Sequence, residues 1–192
     1  VVGKVAFADE RAVRETAQQL DLDALAKVVA AVVKAPRVDI YGSGASAFVA
    51  LDLQQKLHRI RRVAFAWSDV HVALTSAALL GDGDVAVGIS HTGTTAEVVE
   101  ALEEAAKHGA TTVAVTNFPR SPLAKTADLV LTTAARETTY RSGAMSSRIA
   151  QLMVVDCVFI GVAQQVLPDA RKALETTYSA VRGHHLKPGG SD

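Results

Sequence analysis

The chain has 192 residues, of which 49% are hydrophobic and 21% are charged. This length and composition fit one globular domain with its own core and exclude a disordered polypeptide. The 20 Lys and Arg residues balance 20 Asp and Glu residues, so the chain lacks the basic surplus typical of nucleic-acid-binding domains. No long apolar run follows Val1-Val2-Gly3-Lys4, and no secretory signal peptide is expected.

Helical and strand patterns alternate along the chain. In residues 11–35 the apolar positions have helical spacing from Leu22 onward, and Pro36 ends the predicted helix. Further helices are predicted at 47–60, 70–80, 96–108, 148–167 and 169–182, with a short one beginning at Ser121. Strands are predicted at 38–41, 62–67, Val85–Ile89, Thr111–Thr116 and 128–133. This alternation predicts an α/β fold with a mostly parallel sheet and helices on both faces.

Two glycine- and hydroxyl-rich loops each lie between a predicted strand and a predicted helix. The first is Gly42-Ser43-Gly44-Ala45-Ser46, and the second is Ser90-His91-Thr92-Gly93-Thr94-Thr95. Backbone N–H groups and the positive end of a helix dipole favour an anion in such a loop, most often phosphate. Because ligands of such sheets bind beyond the carboxyl ends of the strands, the two loops predict one ligand with a phosphate and a polar remainder.

The two loops differ in how specific they are. The first fits a purely structural turn equally well, because many α/β folds need glycine at this point for a positive φ. Val49 occupies the region where a dinucleotide-binding fingerprint has its third glycine, and no GxxxxGK[ST] P-loop is present. The second loop holds more hydroxyls than the one Ser or Thr that a helix cap requires, which favours phosphate binding there.

A polar segment, residues 136–148, follows the fifth predicted strand. It is either an exposed loop in which Ser146 or Ser147 caps the next helix, or a third part of the site, contributed by Glu137 and the arginines of the segment. His91 either donates to phosphate or points to solvent. The sequence shows no metal-ligand cluster and no Ser-His-Asp or Cys-His arrangement.

Three further features bear on the cellular location of the protein, on membrane spanning and on the extent of the sequence. Cys157 lies in the apolar run 152–163 and is predicted to be a buried thiol, which is consistent with a reducing, cytoplasmic location. The run is interrupted by Asp156 and is expected to be too short to span a bilayer. The start at Val1 and the Gly189-Gly190-Ser191 tail suggest a fragment of a longer protein.

Four motifs together resemble the sugar isomerase (SIS) domain family. They are the loop 42–46, Gly81-Asp82-Gly83-Asp84, the loop 90–95, and Ser121-Pro122-Leu123-Ala124 with Ala127-Asp128. The resemblance covers residues 20–167, and the Ser-x-[Ser/Thr]-Gly-x-Thr loop combined with Ser-Pro-Leu-Ala is quite specific. Within the family, residues 16–21, 146–152 and 155–156 are similar to RpiR-type transcriptional regulators.

The resemblance implies a three-layer, flavodoxin-like fold with a five-stranded parallel sheet and a phosphosugar ligand. Carried over by position, the residues that hold phosphate are Ser46, Ser90, His91, Thr92 and Thr95. Ser43 and Ala45 contribute mainly backbone, Gly44, Gly93 and Thr94 complete the loops, and Glu137 contacts sugar hydroxyls. Thr92 replaces a commoner serine and keeps its hydroxyl, whereas His91 is less expected and is a candidate for tuning selectivity.

RpiR-type regulators also carry an N-terminal helix-turn-helix domain, for which residues 1–21 are too few. The expected organisation is a segment 1–21 leading from that missing domain, a SIS domain at 22–183 and a flexible tail at 184–192. We therefore expect the cytoplasmic sensor domain of a regulator of carbohydrate metabolism, which binds a sugar phosphate and needs no cofactor. It is expected to form a homodimer or tetramer through helices 148–167 and 11–35, to meet DNA only through the missing domain, and to meet no membrane.

Two other classes of function are open. A single-domain phosphosugar aldose–ketose isomerase needs a base near the substrate carbon, for which Glu137 is the candidate, with His91 as a ring-opening partner. No obvious second acid or base accompanies Glu137 in the loops, which favours sensing over catalysis. A purely structural dimerisation module is disfavoured by the hydroxyl-rich loops.

Overall fold

A five-stranded parallel sheet forms the centre of the computed structural model, which describes residues 1–137 and 145–182. The strands are β1 (Val38–Gly42), β2 (Ala64–Trp67), β3 (Val85–Ile89), β4 (Thr111–Thr116) and β5 (Leu129–Thr132). Their spatial order is β2-β1-β3-β4-β5, and every neighbouring pair is parallel. This is the flavodoxin-like winding, which reverses direction between β1 and β3. The predicted fold class is confirmed.

Helices cover both faces of the sheet. They are α1 (Val2–Gln19), α2 (Leu22–Lys34), α3 (Ala45–Arg59), α4 (Val70–Ala77), α5 (Ala96–Lys107), α6 (Pro122–Thr126), α7 (Ser146–Gln165) and α8 (Leu167–Arg182). Alternate side chains of β3 enter opposite layers: Val85 and Val87 pack with α2, α3 and α7, whereas Ala86 packs with α4 and α5. Burial on both faces explains why the strands have no alternating polar positions.

The N-terminal region corrects the prediction of one helix at 11–35. The structure has two helices, because Leu20 is extended (φ −63°, ψ 124°) and ends α1. Asp21 then begins α2, with its side chain accepting a 2.9 Å hydrogen bond from the N–H of Ala24. Asp is a favoured N-cap residue, so the break has a local cause. α1 also begins at Val2, well before residue 11.

Among the helices that begin earlier than predicted, α3 and α7 affect the functional region. α3 begins at Ala45 rather than at residue 47, and α7 begins at Ser146 rather than at residue 148. Ser146 and Ser147 are therefore buried residues of the first turn, and the N-cap position belongs to Met145. The interpretation of either serine as the cap was wrong. The predicted tail at 184–192 lies outside the described residues.

α7 is a central helix of the fold. It has 20 residues, and an 18-residue stretch of it has a mean hydropathy of 1.5, so length and composition alone would let it cross a membrane. The predicted apolar run 152–163 is the central part of this longer helix. In the structure α7 packs against α1, α2 and α3, as a long core helix of a globular domain does. Cys157 on this helix is only half-buried, which corrects the prediction of a buried thiol.

Candidate phosphosugar site

An open cavity of about 410 Å³ lies at the carboxyl ends of the strands. Its walls are the loops after β1, β3, β4 and β5 together with the first turn of α7. The lining residues are Ser43, Ala45, Ser46, Ser90, His91, Thr92, Thr95, Phe118, Glu137 and Ser147. Cavities of a few hundred Å³ are the usual size of small-molecule sites. Segments that are far apart in sequence therefore meet around one ligand-sized space.

The first loop turns sharply from β1 into α3. A Cβ atom on Gly42 would lie 2.6 Å from the carbonyl oxygen of Ser46, so only glycine permits this approach. Gly44 supplies a positive φ of 56° at the N-cap position of α3. The turn places Ser46 at the cavity wall, where its Oγ donates a 3.3 Å hydrogen bond to Oε1 of Gln151.

The second loop is organised by its own hydroxyl groups. Ser90 Oγ accepts a 3.1 Å hydrogen bond from the N–H of Gly93 and lies 2.9 Å from Oγ1 of Thr95. Gly93 has a φ of 63°, and a Cβ atom there would overlap the side chain of Ser121. Thr92 Oγ1 accepts from the hydroxyl of Thr94 at 2.9 Å. The loop is therefore fixed around glycine while Ser90, Thr92 and Thr95 border the cavity.

Three helices begin at the cavity without a side-chain cap from their N-cap residues, and α1, which begins away from the cavity, lacks one as well. No side-chain cap bond is made by the N-cap residues of α3, α5 and α7, which are Gly44, Thr95 and Met145. By contrast, α2, α4 and α6 are capped by acidic or hydroxyl side chains. First-turn N–H groups need acceptors, and helix N-termini attract anions. The uncapped ends of α3 and α5 therefore favour an anion in the cavity, whereas in α7 the carboxylate of Glu137 already accepts from the first-turn N–H of Ser147.

Glu137 lines the cavity together with these loops, and one of its two carboxylate oxygens has no hydrogen-bond partner. Its Oε1 accepts a 2.7 Å hydrogen bond from the N–H of Ser147, while its buried Oε2 has no partner. Within residues 1–137 and 145–182, the other buried side-chain atoms without partners are Arg62 Nε, His91 Nδ1, Ser147 Oγ and Gln151 Nε2. All but Arg62 Nε belong to residues at the cavity or bonded to its wall. Since buried polar groups are normally paired, these atoms are free to bond to water or to a polar ligand in the cavity.

His91 is half-buried, with its ring 5.7 Å from that of Phe118 in an edge-to-face arrangement. Burial lowers the pKa of His91 below its usual value, and the nearby Glu137 carboxylate opposes this shift only in part. The imidazole is therefore neutral near pH 7 and can donate or accept a hydrogen bond at Nδ1.

Most of the predicted site residues meet at this cavity, and three do not line it. Gly44, Gly93 and Thr94 shape the loops instead. Arg136 lies at a separate polar cavity beside α1, and Arg148 is exposed; Arg141 lies outside the described residues. Among the residues that the structure describes, no group of three or more His, Cys, Asp or Glu side chains could hold a metal ion.

Sequence reasoning missed Phe118, and it assigned no site role to Ser147 or Gln151. Phe118 had a usable signal, because it follows the carboxyl end of β4 just as the two loops follow β1 and β3. Ser147 and Gln151 had none in their own segment. Their role depends on where the first turns of α7 lie against α3.

Comparisons with known proteins agree with this architecture. The SIS domain family matches residues 31–161. A relative from Caldanaerobacter subterraneus subsp. tengcongensis, described as an uncharacterized HTH-type transcriptional regulator, is 44% identical over 177 residues. The match covers 92% of this chain, which spans only 63% of the length of that relative.

Two solved structures are also similar. The Vibrio vulnificus NanR protein complexed with ManNAc-6P is 28% identical with a TM-score of 0.91, over 97% of this chain and 70% of that one. The sugar isomerase domain of an RpiR transcription factor from Sphaerobacter thermophilus is 26% identical with a TM-score of 0.84, over 92% of this chain and 97% of that one. On the family match and the 44% identity, the chain belongs to the SIS domain family.

Proposed function

We propose that this chain is the phosphosugar-binding sensor domain of an RpiR-type DNA-binding transcription regulator of carbohydrate metabolism. The observation that carries the proposal is the cavity where α3 and α5 begin without side-chain caps, beside the unpaired Oε2 of Glu137. The helix ends suit a phosphate and the carboxylate suits a hydroxyl donor, so the ligand carries both groups. The similarity to regulators, one of them complexed with ManNAc-6P, supports the same assignment.

Each site residue has a proposed role. The phosphate is held by the N–H groups of the two loops and by the hydroxyls of Ser46, Ser90, Thr92 and Thr95. Glu137 Oε2 accepts from a sugar hydroxyl, and neutral His91 donates or accepts near the junction of sugar and phosphate. Ser43 and Ala45 contribute backbone, while Gly44, Gly93 and Thr94 keep the loops in shape.

The proposed organisation extends beyond this chain. Residues 1–21 lead from a helix-turn-helix domain and residues 22–183 form the sensor, in a cytoplasmic homodimer or tetramer. DNA is contacted only through the helix-turn-helix domain, and the sensor contacts no membrane. A sugar phosphate changes DNA binding only if it binds two conformations of the assembly with unequal affinity.

Calorimetry on this chain tests the proposal. The panel is N-acetylmannosamine 6-phosphate, glucosamine 6-phosphate, glucose 6-phosphate and arabinose 5-phosphate, with unphosphorylated N-acetylmannosamine and glucose as matched controls. At least one sugar phosphate should bind, and its unphosphorylated counterpart should bind far more weakly. Equal binding of a sugar and its phosphate would contradict the role of the helix ends.

An aldose–ketose isomerase is the second candidate, favoured by one observation: His91 and Glu137 line the same cavity, where the carboxylate partly offsets the lowering of the His91 pKa by burial. Such a pair could serve as base and ring-opening group. A coupled assay with fructose 6-phosphate and arabinose 5-phosphate decides between the two. We expect background rates, whereas turnover that disappears in Glu137→Gln would establish the isomerase.

A further inference from the structure

α1 contacts both segments that carry the Glu137–Ser147 hydrogen bond. Thr16 is fully buried, and its Oγ1 accepts a 2.9 Å hydrogen bond from the N–H of Ala134 in the loop after β5. Asp9 Oδ1 accepts a 2.8 Å hydrogen bond from the hydroxyl of Ser146 at the start of α7. Asp9 and Thr16 are about two helical turns apart, so both face the same way.

An apolar contact lies between these two anchors. Ala12 of α1 is buried in a small cluster with Ala135 of the loop and Ala150 of α7. Methyl side chains leave little room between the backbones, so α1 cannot shift against one segment without disturbing the other. The three contacts hold α1 in one position relative to the loop and to α7.

The contacts close a ring through the site. From Thr16 the ring runs to Ala134, along the loop to Glu137, across the 2.7 Å bond to Ser147, and back through Ser146 to Asp9. Glu137 and Ser147 line the cavity, while Asp9 and Thr16 do not. A ligand that engages Glu137 and Ser147 therefore acts on the two attachment points of α1.

We propose that Asp9 and Thr16 are positioning residues that orient Glu137 and Ser147 and couple occupancy of the site to the position of α1. This inference rests on the proposed function, in which α1 leads toward the DNA-binding domain. Coupling between two sites is reciprocal. Loosening α1 therefore weakens sugar-phosphate binding, and sugar-phosphate binding makes α1 harder to open.

The first experiment needs no ligand. Amide hydrogen exchange, measured residue by residue by NMR, is compared between the unchanged chain and Thr16→Val, which removes the acceptor for Ala134. Exchange at Ala134 and at Ser147 should rise about tenfold, while exchange at Val87 in β3 stays unchanged. Thr16→Ser, which restores the acceptor, should recover protection, and the exposed Thr176→Val should have no effect. Unchanged exchange at Ser147, or an equal rise at Val87, would overturn the positioning role.

The second experiment adds N-acetylmannosamine 6-phosphate, with inorganic phosphate as the minimal probe. Asp9→Asn combined with Thr16→Val should weaken binding about tenfold, the effect of lost buried hydrogen bonds, while Glu10→Gln on the exposed face of α1 should not. Saturation should slow amide exchange in α1 of the unchanged chain and leave it unchanged in the double variant.

A third variant separates coupling from simple damage to the loop. Asn117 Oδ1 also holds the loop, accepting hydrogen bonds from the N–H of Ala135 at 2.7 Å and from the hydroxyl of Thr133 at 3.3 Å, and neither bond involves α1. Asn117→Ala should therefore weaken binding while α1 still responds to saturation. If saturation with the sugar phosphate slowed amide exchange in α1 equally in the double variant and in the unchanged chain, the coupling would be refuted. If the unchanged chain bound no member of the panel, the proposed function would fail, and the ligand-free exchange at Ser147 would still decide the positioning role.

Discussion

Glu137 Oε1 accepts a 2.7 Å hydrogen bond from the backbone N–H of Ser147, while Glu137 Oε2 is buried without a partner. One carboxylate oxygen thus accepts a hydrogen bond from a first-turn N–H of α7, while the other oxygen remains available to the cavity. Ser147 has an unpaired buried hydroxyl on the same side. The pair brings the loop after β5 and the start of α7 together as one wall of the site.

Thr95→Val should weaken sugar-phosphate binding by about 1–3 kcal/mol, the range for removing one partner of a charged hydrogen-bonding group. The hydroxyl of Thr95 lies 2.9 Å from Ser90 Oγ at the N-cap position of α5. Calorimetry with the sugar phosphate that binds best measures the change. Thr75→Val, whose hydroxyl bonds only to the carbonyl of His71 on α4, is the matched control. Equal losses in both variants would speak against a phosphate contact at Thr95.

The free energy of unfolding should fall as the pH drops through the titration range of His91. Burial lowers the pKa of His91 in the folded chain below its usual 6.5. The unfolded state therefore takes up the proton first, so stability is lost as the pH falls from about 7 through the folded pKa. Urea titrations at several pH values should show this loss, and His91→Gln should reduce it. An unchanged pH profile in His91→Gln would contradict the assignment.

Phosphate binding should raise the pKa of His91. A bound phosphate places negative charge near the ring, which favours the imidazolium form. NMR titration of the ring protons with and without inorganic phosphate measures the shift, and the exposed His71 serves as the internal reference. A pKa of His91 that did not move on saturation would place the phosphate away from the second loop.

Asp39→Ala should destabilise the fold by about 3 kcal/mol, because it leaves a partly buried guanidinium without its partner. The fully buried carboxylate accepts from Arg37 Nε at 2.7 Å, from Ser76 Oγ at 2.6 Å and from Trp67 Nε1 at 2.9 Å. Thermal unfolding measures the loss of stability. Asp69→Ala, at the exposed N-cap of α4, is the control and should destabilise the fold less than Asp39→Ala. Sugar-phosphate affinity should not change, because Asp39 lies near the opposite end of β1. A melting temperature equal to that of the unchanged chain would contradict this account.

The chain should be a dimer in solution, or a dimer of dimers, because oligomers usually close by symmetry. Ile160 on α7 is 52% exposed and Phe7 on α1 is 64% exposed, so α7 and α1 both present apolar surface. Light scattering at micromolar concentration measures the mass. Ile160→Lys should yield monomers, whereas Leu79→Lys at the exposed end of α4 should not. A monomeric unchanged chain would refute the expectation.

Much of the fold and most of the cavity lining could be predicted from local patterns. The apolar run Val85–Ile89 predicts a buried strand, because a parallel strand is covered on both faces. The helical spacing of the apolar residues after it predicts a helix with one buried face. The loops 42–46 and 90–95 carry glycines that their turns require, as Gly42 and Gly93 show. Both signals lie within a few residues of the feature that they predict.

The site roles of Ser147 and Gln151 could not be predicted from the neighbouring sequence. Nothing in residues 145–151 indicates that Ser147 lines a cavity or that Gln151 bonds to Ser46, more than 100 positions away. The same holds for Thr16 and Ala134, which join α1 to the loop after β5. Even the break between α1 and α2, where Asp21 is a local cap signal, was obscured by apolar spacing that continues across it.

By itself, the sequence determined the alternation of strands and helices, the parallel sheet and the two phosphate-type loops, because periodicity and turn chemistry depend on neighbouring residues. Only the tertiary structure decided which helix ends share a cavity and which polar atoms remain unpaired there. The direction in which the sheet winds brings α3, α5 and α7 to one edge, and the packing of α1 and α7 sets Glu137 against Ser147. Such contacts depend on distances between remote segments, which no local pattern encodes.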